Sequence, residues 1–244
     1  MKILLLFSLL ASLSCNDIDN HPERIEKLRA IGVETEQPAY SFSTADTVNS
    51  VSLTFYLLSN QKTDVTSESV SLEINKTLTS PQVTLENITT AYEDYNQLRL
   101  IRITATATIP TEDQLVFSKT DNTASISYAL IINQGAEQEK VRGNVKIYRP
   151  DAIASIAKPT VSITSPLANT AIPAGTINLK AETTNTNDES LRISWFVGDG
   201  EIEKRRATEA EWINMTGGVK TMVVTARGLK SWNFAYSVIE TTVQ

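Results

Sequence analysis

Strict alternation of apolar and polar residues is the feature that most restricts this chain. In the segment from Leu98 to Ile109, Ile101, Ile103, Ala105, Ala107 and Ile109 take the odd positions, and Arg102, Thr104, Thr106 and Thr108 take the even ones. Successive side chains of a β-strand point to opposite faces. This segment therefore buries one face and wets the other. A helix, with its period of 3.6 residues, would scatter the same residues around its axis. Pro110 ends the segment, because proline cannot donate to a ladder.

The pattern recurs along the chain. Val51, Leu53, Phe55 and Leu57 alternate, as do Val70, Leu72 and Ile74. Ile126, Tyr128, Leu130 and Ile132 follow, then a turn at Asn133-Gln134-Gly135 and a returning strand through Val141, Val145 and Ile147. Residues 150–159 carry a proline at each end and read as a linker. Beyond them the strands resume at Val161 and Ile163, at Ile177, Leu179 and Ala181, and at Leu191, Ile193, Trp195 and Val197. A Gly198-Asp199-Gly200 turn, a short strand at Trp212-Ile213, and alternating Met222, Val224 and Ala226 complete the second half. The one helix-like stretch, Pro22 to Arg29, is expected to form a short helical turn at most. The content of Thr, Ser, Val and Ile suits half-buried strands. Six or seven strands over residues 26–149 and a second set over 160–244 predict an all-β protein of two tandem antiparallel β-sandwiches. Trp195 is expected at the centre of the second core, and exposed strand edges would suit strand addition by a partner.

The N-terminus sets a compartment. Lys2, the apolar run Ile3–Leu10 and small residues before Cys15 form the three parts of a secretory signal peptide over residues 1–14. The run is too short to span a bilayer. Cys15 is the only cysteine, so no internal disulfide is possible. The segment Ser12-Leu13-Ser14-Cys15 resembles a bacterial lipobox, with Ser12 where a large aliphatic residue is usual. The resemblance implies acylation of Cys15, a tether over residues 15–25, and anchoring in the cell envelope, with the outer membrane preferred. Ser12 and Ser14 also satisfy the small-x-small rule of an ordinary signal peptidase, which leaves a secreted or periplasmic protein as the alternative.

Residues 158–244 resemble bacterial immunoglobulin-like (Ig-like) domains of the polycystic-kidney-disease-repeat type. The resemblance rests on Trp195-Phe196-Val197-Gly198-Asp199-Gly200 and on Gly217-Gly218 leading into Val219–Val224. Val197 stands where that family has phenylalanine. In the first half, Leu28-Arg29-Ala30 is similar to the first strand of uncharacterised bacterial lipoproteins. Both resemblances imply Ig-like folds and say almost nothing of function.

Catalytic chemistry has few candidates. His21 is the only histidine and falls in the tether, so neither a Ser-His-Asp set nor a zinc site can be assembled. Glu201 with Glu203, and Glu209 with Glu211, share strand faces and read as solvated surface. Asp199 suits its turn backbone, with calcium binding as the rival reading. The net charge is −6, and no basic run exceeds Lys204-Arg205-Arg206, which argues against a nucleic-acid partner. No catalytic residue, cofactor or metal site is expected. The expected partners are a membrane, through the N-terminal lipid, and an envelope protein. Two classes of function follow: a non-catalytic interaction or spacer protein, or a carbohydrate-binding module using Trp232, Phe234 and Tyr236 as an aromatic strand face. Tyr92 and Tyr95 are expected on a loop.

Overall fold

The computed structural model describes residues 23–37, 40–41, 49–60, 65, 69–74, 85–109, 115–120, 122–134, 137–149, 156–185 and 189–244. Cys15 and His21, the signal segment and residues 150–155 of the expected linker lie outside them. Among the described residues every long element is a strand, and no helix is long and apolar enough to cross a membrane.

Among the described residues the first unit has eight strands in two sheets. One sheet contains β1 (Arg29–Thr35), β3 (Asn49–Ser59), β6 (Arg99–Ile109) and β5 (Leu85–Asp94), in that order. The other contains β2 (Tyr40–Ser41), β8 (Glu137–Tyr148), β7 (Thr123–Gln134) and β4 (Val70–Ile74). The second unit repeats this order. Its sheets are β9 (Thr160–Ser165), β11 (Ile177–Thr184), β14 (Glu209–Ile213) and β13 (Glu201–Glu203), and β10 (Ala171–Ile172), β16 (Phe234–Val243), β15 (Gly218–Gly228) and β12 (Leu191–Val197). In each unit the first, third, sixth and fifth strands form one sheet, and the second, eighth, seventh and fourth form the other. This is the strand order of an Ig-like sandwich with a split first strand. The pairings are antiparallel except β2 with β8 and β10 with β16, where the short strand joins its sheet in parallel.

The alternation in the sequence fills two cores. In the first, Phe55, Leu57, Ile101 and Ile103 face Leu130, Ile132, Val141 and Val145 across the sandwich. In the second, Trp195 and Trp212 lie with Met222, Val224 and Leu179. Both indoles satisfy their N–H: Trp195 Nε1 donates to the Ala207 carbonyl at 2.8 Å, and Trp212 Nε1 to the Asp199 carbonyl at 2.9 Å. Gly200 adopts φ +78°, and a Cβ there would lie 2.6 Å from Trp212 Nε1. The Gly-Asp-Gly turn thus needs glycine both for its backbone and for the tryptophan beneath it.

The two sandwiches also share a third core. Strands β3 and β6 were expected to wet their even-numbered faces, yet Tyr56, Leu58 and Leu100 are buried. They pack with Ile25 and Leu98 against Val223 and Phe234 of the second unit, with Tyr236 and Val238 at the margin. The Tyr56 ring centre lies 5.5 Å from that of Phe234 and 4.8 Å from that of Tyr236. Gly32 of β1 admits the Phe234 ring: a Cβ at Gly32 would lie 2.0 Å from one ring carbon. Polar contacts close the seam. Asn96 N donates to Glu240 Oε1 and Asn96 Nδ2 to the Val219 carbonyl, both at 2.7 Å, and Lys158 Nζ donates to Glu34 Oε1 at 2.7 Å. Tyr56 donates its hydroxyl proton to the same Glu34 carboxylate at 2.6 Å.

The expected helical turn at Pro22–Arg29 does not form over its described part. Ile25 N donates to the Val197 carbonyl, and Val197 N donates to the Glu23 carbonyl, each at 2.9 Å. Glu23, 2% exposed, pairs with Arg205 at 2.7 Å. Residues 23–25, assigned to the free tether from sequence, are therefore docked along the edge of β12. The backbone pairing open to them there outweighs the weak helical tendency of so short a segment.

Candidate functional site

Where the third core ends, the two sandwiches part to leave a cleft of about 530 Å³. Eight lysines and arginines line it, against two glutamates, in a chain of net charge −6.

The wall from the second sandwich is built by strand register. Arg192 of β12 and Arg227 of β15 are direct cross-strand partners. Like charges placed opposite each other destabilise a sheet. The Lys204-Arg205-Arg206 turn between β13 and β14 brings two more guanidinium groups to the same wall. Arg205 is paired with Glu23. Among the described residues, Arg192, Arg206 and Arg227 have no carboxylate partner. Burial, then the charge of Arg192, holds Arg227 below the ordinary guanidinium range; for Arg206 burial is followed by Arg192 and Arg205. Arg227 Nε is buried and makes no hydrogen bond, while the Arg227 guanidinium carbon lies 4.1 Å from the centre of the Trp232 ring.

The opposite wall comes from the first sandwich. Lys140, Arg142 and Lys146 of β8 line it, each an even number of residues from the next, together with Arg29 at the start of β1. Glu139 Oε1 accepts a hydrogen bond from Ala30 N at 2.9 Å. On the other side the Trp195 and Val197 amides donate to the Arg205 and Glu23 carbonyls. The strand edges that face the cleft are thus already engaged at these positions. At these positions the chain pairs its own edges, so strand addition by a partner would have to use other positions or other edges.

Trp232, Phe234 and Tyr236 do not form the expected aromatic strand face. Phe234 is 2% exposed and Tyr236 half-buried, both against Tyr56. Trp232 precedes the strand, in a turn at φ +65°. The sequence shows these rings on one strand face but not the first sandwich, which covers Phe234 and Tyr236 through Tyr56. Tyr92 is corrected as well: it lies in β5, its hydroxyl donating to the Val65 carbonyl and accepting from Val65 N, each at 3.0 Å. Tyr95 does lie on a loop, between β5 and β6, and packs at the edge of the shared core.

Asp199 is a turn clasp. Its Oδ1 accepts from Gly200 N at 2.8 Å, and Oδ2 accepts from Thr216 N, Thr216 Oγ1 and Lys220 Nζ at 2.9, 2.6 and 2.7 Å. Burial raises its pKa, but the hydrogen bonds from Lys220 and Thr216 outweigh this and hold the carboxyl well below the usual range. Glu209 and Glu211 pair with Lys180 and Lys204 at 3.7 and 3.0 Å. Among the described residues no three metal-ligating side chains converge. The cleft itself was missed from sequence. Its signal was present as basic residues at every second or fourth position, Lys140, Arg142 and Lys146, but only folding sets them opposite Arg192 and Arg227.

No family profile and no curated protein matches the chain. Solved structures with similarity include the fibronectin(III)-like modules of Clostridium thermocellum CbhA, at 16% identity over 86% of this chain and 92% of that one, with a TM-score of 0.31. The PKD domain of human KIAA0319 matches at 16% identity over 36% and 83%, with a TM-score of 0.30. The tandem Ig repeats of Dlar match at 12% over 89% and 97%, with a TM-score of 0.30. Superpositions this loose add nothing to the strand order, which itself establishes two Ig-like sandwiches.

Proposed function

We propose that this is a non-catalytic protein of the cell envelope, anchored by lipid on Cys15, whose two sandwiches form one rigid body for interaction with a partner. The observation that carries the interaction role is the cleft. Arg192 and Arg227 stand opposite each other in the sheet and, with Arg206, have no carboxylate partner among the described residues, an arrangement that costs stability and so calls for a compensating ligand. The shared core supports rigidity, because it fixes the two cleft walls relative to each other.

Two measurements test this reading. Metabolic labelling with a fatty acid should mark the wild type and not Cys15→Ser; an unlabelled wild type refutes the anchor. Sedimentation of the purified protein with isolated envelope material should show salt-sensitive retention that Arg192→Glu/Arg206→Glu abolishes. Equal retention of the variant refutes the cleft as the docking surface.

A further inference from the structure

We infer that the cleft between the sandwiches binds an acidic oligosaccharide, its carboxylate or sulfate groups held between the guanidinium groups of the second sandwich and the basic row of β8. This rests on the cleft being the interaction site proposed above, and it adds the ligand class.

The charge chemistry comes first. Guanidinium groups present planar forks of N–H donors that match the geometry of carboxylate, sulfate and phosphate. Arg192 and Arg227 stand side by side through strand register, and Arg206 adds a third group that the charges of Arg192 and Arg205 oppose. An oxyanion placed among them would relieve their repulsion. It would also offer an acceptor to the buried Arg227 Nε, which has none.

The shape selects among anions. The basic groups lie on two walls that face each other, Lys140 and Arg142 on one and Arg192 and Arg206 on the other. A planar membrane surface cannot touch both walls at once, so lipid headgroups in a bilayer are disfavoured. An acidic peptide would dock either by strand addition or by its carboxylates alone on the arginines, and a tetraglutamate probe tests the second mode. The backbone amides at Ala30, Trp195 and Val197 are already engaged by Glu139, Arg205 and Glu23. What remains is a ligand read through side chains. Ser194 supplies a hydroxyl to the cleft, whereas the buried Thr225 hydroxyl donates to the Ser194 carbonyl at 3.4 Å. Trp232, fixed by the Arg227 guanidinium on its ring, supplies an apolar surface beside the charge. Anionic groups, a hydroxyl partner and a flat apolar face are together the chemistry of an acidic sugar chain.

The test is calorimetric titration of the full-length protein in detergent micelles. The probes are a tetragalacturonate, a sulfated tetrasaccharide, neutral cellotetraose, a tetraglutamate peptide and a tetrathymidylate. At least one acidic tetrasaccharide should bind at least tenfold more tightly than cellotetraose, tetraglutamate and tetrathymidylate. The two acidic sugars separate carboxylate from sulfate as the preferred group. Arg192→Ala/Arg206→Ala should weaken that binding at least tenfold while leaving the melting temperature unchanged or raised, because it removes opposed charges. Arg142→Ala, on the far wall, should weaken it at least threefold. Absence of binding by both acidic sugars overturns the ligand class, and so does a peptide or nucleotide that binds as tightly. Full affinity in the double variant overturns the site. If the acidic sugars fail while cleft-dependent envelope retention persists, the binding role stands and only the ligand class falls.

Discussion

Gly32→Ala isolates the shared core. The added Cβ would lie 2.0, 2.3 and 2.5 Å from three carbons of the Phe234 ring. Ordinary carbon contacts begin near ~3.5 Å, so the ring must retreat by more than about 1 Å. It has little room, because Phe234 is 2% exposed and packs with Tyr56 and Tyr236. Overpacking of this kind costs about 1–3 kcal/mol. In a domain pair of this size that corresponds to roughly 2–4 °C of melting temperature per kcal/mol. A double-mutant cycle gives the decisive sign. Phe234→Ala alone should cost about 3–5 kcal/mol as a large-to-small core change. In that background the clash is gone, and Gly32→Ala should turn neutral or stabilise by up to ~1 kcal/mol, since alanine is better than glycine within a strand. Urea denaturation of the four proteins measures all terms. A neutral Gly32→Ala in the wild type, or the same penalty in both backgrounds, would refute the packing of the two sandwiches described above.

Two further predictions concern the second sandwich. Trp195→Ala should cost about 3–5 kcal/mol, since the indole is 1% exposed and its loss also leaves the Ala207 carbonyl without its donor; a melting temperature lowered by only a degree or two would contradict this. Asp199 is held below its unfolded pKa, so its contribution is present above about pH 4 and is lost as pH falls through the folded-state value. Asp199→Asn should therefore be less stable than wild type at pH 7, with the gap narrowing below about pH 4; a gap that stays constant to pH 2 would show that the Lys220 and Thr216 contacts do not act through the carboxylate's charge.

The period-two alternation was enough to place the strands, because which face a strand buries is encoded residue by residue. Ile101, Ile103 and Ala105 enter the first core, and Trp195 and Val224 the second, as the sequence pattern implies. The Gly-Asp-Gly turn was legible for the same local reason. Among the described residues the first unit holds eight strands rather than six or seven, the extra one being the two-residue β2, too short to show any period.

What a face touches is not local. Tyr56, Leu100, Phe234 and Tyr236 sit on the outward faces of their own sandwiches, and sequence alone offers solvent as their neighbour. Only docking of one sandwich on the other turns them into a core and removes the aromatic platform. The same docking makes the cleft. Lys140, Arg142, Arg192 and Arg227 are ordinary polar positions within their strands. Their meaning depends on register between β12 and β15 and on the opposition of two sheets from separate units. The sequence by itself determined the strands and their buried sides. The tertiary structure decided which outward faces meet and where the basic side chains gather, because those contacts join residues that no local period connects.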